Sequence, residues 1–154
     1  MMRRATANGA MAMSAAVLAI LLAAQPDPAP AHSYKLADVA IGHLWTPPDA
    51  PAGGRPVYGA LVNRGSTADR LIAARAPPPM TVGFRDGRSG PSAAVAAIEL
   101  LPRRPVALAA WGVHLWIDGA GGRLEPGTTI DLTLEFRDAG RIAVQVVVEG
   151  GPSH

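Results

Sequence analysis

The sequence predicts an all-β sandwich or barrel, and three observations carry that expectation. Beyond the first 31 residues, short apolar runs alternate with breaks rich in Pro and Gly, at the spacing of short strands joined by tight turns. In Ile130-Asp131-Leu132-Thr133-Leu134-Glu135-Phe136 the apolar residues fall at every second position, the period of a strand with one buried and one wet face. No window of about a dozen residues after the leader carries a helical period.

Taken in order, the expected strands begin with Tyr34–Trp45, in which His43 is in phase with Ile41 and Trp45. A loop, Pro47-Pro48-Asp49-Ala50-Pro51-Ala52-Gly53-Gly54, precedes a strand over Pro56–Asn63, which ends in the turn Asn63-Arg64-Gly65-Ser66. Arg70–Ala76 follows, and Ala76-Pro77-Pro78-Pro79 withholds backbone donors and so reads as a rigid connector. Met80–Arg85 and Ala94–Leu101 flank a loop over residues 86–92, after which come Val106–Ala109 and Gly112–Ile117. Thr129–Phe136 and the β-branched Arg141–Val148 close the chain. Asp138-Ala139-Gly140 between these two is a hairpin connection, with Gly140 where a positive φ is expected.

The N-terminal residues read as an export signal. Arg3 and Arg4 precede an apolar run from Ala10 to Ala24; Gln25-Pro26-Asp27-Pro28 breaks it, and Ala29-Pro30-Ala31 offers an A-x-A cleavage site. The run is shorter than the roughly 20 residues a helix needs to span a bilayer, although an uncleaved anchor stays open. The expected organisation is a signal peptide over 1–31, one domain over 32–150 and a tail over 151–154, in the periplasm or outside the cell. Loss of Arg3, Arg4 and Asp27 leaves 12 basic and 11 acidic residues, so the high isoelectric point owes much to the leader. No basic stripe with interleaved aromatics marks a nucleic-acid surface. The chain has no cysteine, which excludes a blue-copper thiolate centre and thiol redox chemistry.

Several segments, in this order, carry a resemblance. They are His32-Ser33-Tyr34-Lys35, Ile41-Gly42-His43-Leu44-Trp45, Val57-Tyr58-Gly59-Ala60-Leu61-Val62-Asn63-Arg64-Gly65, Asp69-Arg70-Leu71-Ile72, Gly112-Val113-His114-Leu115-Trp116 and Leu124-Glu125-Pro126-Gly127-Thr128 running on to Phe136. Together they resemble the periplasmic copper chaperones of the PCu(A)C family. The resemblance implies a cupredoxin-like antiparallel β-sandwich of Greek-key type. It also implies a copper cargo, Cu(I) or Cu(II), passed to an exported or membrane cuproprotein such as cytochrome oxidase, with no enzyme substrate.

In that family a His, about ten residues, a Met, about twenty-one residues and then His-x-Met supply soft donors for Cu(I). His114 stands at the His of the His-x-Met pair, and Trp116 takes the place of its Met. Counting back without gaps puts Ser92 and Thr81 at the other two positions, with Met80 adjacent and usable only if the register slips by one residue. The metal candidates are therefore His114, Met80 and His32, in a degraded site. After cleavage, His32 would chelate Cu(II) through its α-amine and Nδ1, or else be an unstructured terminal residue. His43 reads as a hydrogen-bonded core residue and His154 as a solvated one. Trp111 and Trp116 read as packing residues of a largely apolar patch, although an indole face can also cover Cu(I).

No G-x-S-x-G, paired carboxylate or phosphate-binding Gly loop supports enzymatic chemistry. The expected function is that of a copper-handling accessory protein; the alternative is a non-catalytic β-sandwich binding or scaffold protein that has lost its metal. Intact-mass analysis of the exported protein should show loss of the first 31 residues, and a mature chain that keeps Met1 would contradict cleavage.

Overall fold

The structure, a computed structural model, describes residues 32–91 and 93–150; the expected leader, Ser92 and the tail lie outside the described residues. In chain order the strands are β1 (Tyr34–Leu36), β2 (Val39–Ile41), β3 (Leu44–Thr46), β4 (Asp49–Ala50), β5 (Gly54–Val57), β6 (Gly59–Asn63), β7 (Asp69–Arg75) and β8 (Thr81–Asp86). There follow β9 (Ala94–Val95), β10 (Ile98–Leu100), β11 (Pro105–Leu108), β12 (Val113–Asp118), β13 (Gly122–Arg123), β14 (Thr129–Phe136) and β15 (Gly140–Val148). A 3-10 turn over Gly87–Ser89 is the one helical piece among the described residues, and Asp86 caps it by accepting from the Arg88 amide.

One layer is the sheet β10-β7-β14-β15-β3, antiparallel except where β15 meets β3. The opposite layer joins the sheets β1-β2-β6-β11 and β5-β12-β8-β9. They join because two stretches of chain run through both. Residues 59–62 pair with 105–108, and residues 54–57 pair with 115–118. Between β11 and β12, Ala109–Gly112 is extruded as a turn. Its Gly112 amide donates to the Ala109 carbonyl at 3.0 Å, and the Ala109 amide donates to the Val113 carbonyl at 3.0 Å.

The alternating runs do what their period demands. Ile130, Leu132, Leu134 and Phe136 of β14 and Val144, Val146 and Val148 of β15 are buried, facing Leu61, Leu115 and Ile117 of the other layer across one contiguous core. With no disulfide available, this apolar burial carries the fold. At the β14–β15 hairpin Gly140 has φ 104°, the left-handed region that only glycine enters without strain, as the sequence led us to expect.

Where the chain departs from expectation, irregular residues reset the count. Tyr34–Trp45 is three strands. Ala37, at φ 49°, turns the chain so that β1 and β2 form a hairpin, and Gly42-His43 interrupts it again. The phase therefore shifts: Leu44 and Thr46 are buried and Trp45 is half-buried. The expectation that His43 shares the inner face with Ile41 and Trp45 is corrected. Its side chain is 29% exposed, and Nε2 lies 2.7 Å from Glu149 Oε1 at the edge of the core. The loop expected over residues 47–54 holds β4, which pairs with β13, and the first residue of β5.

Arg55 is fully buried, and its guanidinium donates to three backbone carbonyls. Nε reaches Ala120 at 2.5 Å, Nη1 reaches Pro47 at 3.0 Å and Nη2 reaches Gly122 at 2.8 Å. Burial lowers its pKa, and the nearby Asp49 carboxylate partly offsets this. A buried cation of this kind ties the loops before β4 and β13 to the sandwich, because an unpaired carbonyl there would be costly. Arg55→Met should lower the unfolding free energy by about 3 kcal/mol in urea titrations. Arg55→Lys should also destabilise, by about 1 kcal/mol or more, since one ammonium cannot reproduce the three-way fork. Wild-type stability in both variants would show that those carbonyls do not depend on it.

Glu135 of β14 accepts from Arg141 of β15 at 3.1 Å and from Arg75 of β7 at 2.9 Å, linking three strands. Those bonds, Arg141 first, hold its carboxyl below the ordinary glutamate range. A depressed folded-state pKa gives stability that is complete above the unfolded value and is lost as pH falls through the folded one. Glu135→Gln should therefore flatten the fall in stability below about pH 4, and an acid limb identical to wild type would contradict the linkage.

Candidate functional site

β12 is hydrogen-bonded on both sides, to β5 and to β8, so its side chains have no choice of face. Leu115 and Ile117 go to the core; His114, Trp116 and Asp118 go to the other side. Directly across the β8 ladder from His114 is Arg85, and across from Trp116 is Gly83 on β8 and Pro56 on β5. One step past the end of β5, Tyr58 stands beside His114, with ring centroids 6.0 Å apart. Tyr58 in turn meets Trp45 edge to face at 5.1 Å.

His114 is 5% exposed, and its Nδ1 lies 3.1 Å from the Gly112 carbonyl oxygen. A carbonyl only accepts, so Nδ1 carries the proton and Nε2 keeps a free lone pair. The same Gly112 oxygen accepts from the Gly87 amide at 2.9 Å, which fixes it in place. This is the arrangement found behind metal-binding imidazoles: one ring nitrogen held by a backbone acceptor, the other presented to a ligand. Among the described residues none hydrogen-bonds that Nε2.

Trp116 is held at both ends of its ring system. Its Nε1 donates to Asp118 Oδ1 at 3.0 Å, and the guanidinium carbon of Arg85 sits 3.6 Å from its ring centroid. Gly54 permits the packing, since a Cβ there would lie 2.6 Å from Trp116 Nε1. The expected largely apolar patch is instead aromatic and cationic. Burial raises the Tyr58 phenol above its ordinary pKa, so the hydroxyl stays neutral and is no anionic ligand. Asp86, at the end of β8, is held below the usual carboxylate range by hydrogen bonds from the Arg88 side chain, and only weakly by His114.

The three sequence-derived metal candidates do not form one centre. Met80 precedes β8 and lies against Gly119, beyond the Thr81–Asp118 pair at the far end of the ladder. Arg85, the partner of His114, is five residues from Met80, or about 16 Å along a strand. Thr81 is thus also remote from His114, and Ser92 is outside the described residues. The chain's other methionines, Met1, Met2, Met11 and Met13, belong to the expected leader. His32 lies two residues before β1, on the sheet that excludes β12, and no described hydrogen bond or ion pair joins it to His114 or Met80. Among the described residues no three His, Cys, Asp or Glu side chains converge as a metal cluster. Arg85 and Tyr58 were missed as neighbours of His114, as was Trp45 behind Tyr58. Only the cross-strand register reveals them, and spacing along the chain does not contain it.

This β-sandwich, with a lone oriented imidazole on a strand exit, belongs to a recognisable class. The chain belongs to the family described as putative lipoprotein LpqE-like, whose pattern matches residues 37–148. It is also a relative of the PCuAC domains, as its sequence segments suggest. The copper-bound PCuAC domain from PmoF2 is 26% identical, with 77% of this chain and 98% of that one covered and a TM-score of 0.67. The apo form of the PmoF2 domain is 27% identical over 79% of this chain and 98% of that one, with a TM-score of 0.64. The Cu(I) form of DR1885 from Deinococcus radiodurans, 19% identical over 78% of this chain and 82% of that one, shares the fold with a TM-score of 0.59. No curated protein sequence matches significantly.

Long-range 15N–1H correlation of the imidazoles should find His114 in the Nδ1–H form with Nε2 bare. Detection of an Nε2–H tautomer would overturn the orientation on which the site rests.

Proposed function

We propose that the protein is an exported copper-handling accessory protein that contacts its cargo through His114 Nε2 and passes it to an exported or membrane cuproprotein, a cytochrome oxidase being the kind of recipient the family suggests. The observation that carries this reading is the His114 imidazole, held through Nδ1 by the Gly112 carbonyl so that Nε2 is the free donor. Similarity to a domain solved with copper bound supports it.

The residues around His114 do not fit a site of two histidines and two thioethers. They offer one imidazole, a neutral phenol and a guanidinium on an indole. One nitrogen donor gives weak binding and fast release. That suits an exchange protein better than a store. It needs no covalent or redox chemistry of its own, which agrees with a chain without cysteine. A second copper contact rests on His32, whose α-amine and Nδ1 chelate Cu(II) once cleavage makes it the first residue. The stack of Arg85 on Trp116 favours a second reading, a sandwich that keeps the family's fold and binds a protein partner without metal.

Titrated anaerobically with Cu(I), the mature protein should bind one equivalent weakly, surrender it completely to a strong chelator, and lose it in His114→Ala. Binding that survives His114→Ala would sink this assignment, and no saturable Cu(I) binding at all would select the metal-free reading. Cu(II) binding should disappear when one residue is added before His32, because the amine then leaves the imidazole. Unchanged Cu(II) binding in the extended protein would move the contact to another histidine.

A further inference from the structure

We infer that Arg85 sets the metal affinity of the His114 site: standing directly across the ladder from His114, it lays its guanidinium on the face of Trp116 and fixes a positive charge on the outward face that the imidazole shares, so it sets how weakly a metal cation is held. The inference rests on the reading of His114 as the copper contact, and it concerns the regulation of that contact.

The register makes the pair unavoidable. Arg85 and His114 are direct partners across the β8–β12 ladder, where facing Cβ atoms lie about 5 Å apart. Gly83 is the β8 residue opposite Trp116 and carries no side chain of its own. The Arg85 guanidinium lies over the ring, 3.6 Å from its centroid. Any cation that might have used the indole face therefore finds it taken.

The charge also forms no ion pair. Arg70, Arg75, Arg88, Arg123, Arg137 and Arg141 each reach a carboxylate, but among the described residues no carboxylate pairs with Arg85. Asp86 is paired with Arg88, and Asp118 accepts from Trp116 Nε1 at the edge of the ring that Arg85 covers, without an ion pair to Arg85. A metal ion on His114 Nε2 would lie on the same outward face as this charge, whose residue stands directly across the ladder, and repulsion between like charges would weaken its binding.

The test is anaerobic Cu(I) competition against bicinchoninate on mature wild type, Arg85→Gln, Arg85→Lys and Arg85→Met, each also in a His114→Ala background. Arg85→Gln removes the charge and should bind about tenfold tighter or more. Arg85→Met adds a thioether across the ladder from the imidazole and should bind tighter still. Arg85→Lys keeps the charge and should stay within about threefold of wild type. All tightening should vanish with His114→Ala, and Trp116 fluorescence should be quenched by Cu(I) in the tight variants. Affinities equal to wild type in both Arg85→Gln and Arg85→Met would overturn the inference. So would tightening that persists without His114. Should wild type bind no Cu(I) while Arg85→Met binds it through His114, the copper-handling function fails and the role of Arg85 stands. Should wild type bind through His114 with the variants no tighter, the function stands and the role of Arg85 fails. Thermal melts of each variant separate a lost fold from a lost site, and Arg85→Gln, the near-isosteric change, decides if Arg85→Met does not fold.

Discussion

The site depends on the register of β12 between β5 and β8. A slip of one residue would turn His114 and Trp116 into the core and push Leu115 and Ile117 into water, exchanging every side chain between faces. That slip is prevented from two directions. Leu115 and Ile117 are fully buried against the opposite layer, so the apolar cost of exposing them is several kcal/mol, on the order of 1.5–3 for each side chain. Gly54 on the neighbouring β5 meanwhile leaves room for the indole of Trp116, as a larger residue there would not. The identity of the neighbours of His114 is thus settled by core packing on the other side of the sheet.

The extruded turn Ala109–Gly112 converts that register into chemistry. The Gly112 carbonyl, one residue before β12, accepts both the Gly87 amide, which continues the pairing with β8, and His114 Nδ1, and the imidazole gains a fixed tautomer. Trp111 occupies the same turn and is 72% exposed, beside a cleft of about 540 Å³ lined in part by Val95, Ile98, Val106 and Val113. On β5, Arg55 is the partner of Ile117 on the buried face and holds the loops before β4 and β13 by their carbonyls, in a chain that has no disulfide.

The parts of this architecture that were legible in the sequence are those with an uninterrupted period. Ile130 to Phe136 and Ile142 to Val148 could be read because each carries its alternation through several residues without a break. Tyr34 to Trp45 was misread as one strand because Ala37 adopts a left-handed conformation without being glycine, and Gly42 ends the pairing of β2. Each break reset the phase and moved His43 off the inner face. At the site, His114 was legible from its context, and its orientation was not, since that depends on the Gly112 carbonyl. Met80 looked close to a ligand position by counting along the chain. The ladder runs the other way: it brings Arg85 to His114 and carries Met80 to the far end. A residue count cannot see a partner that only strand pairing supplies.

A copper carrier must bind tightly enough to load and loosely enough to unload, and donor number is the usual means of setting that balance. On the function proposed above, this chain would add a second means. By the family's His-x-Met spacing Trp116 stands where a thioether would be a soft donor, and Arg85 stacks on its ring. The replacement would then remove an attraction and place a positive charge on the same face. It leaves the imidazole, its carbonyl anchor and the surrounding sandwich intact. On that reading the backbone would be preorganised for a ligand that its side chains hold weakly. That combination arises naturally when the outward residues of a doubly paired strand change, because nothing in the core registers the change.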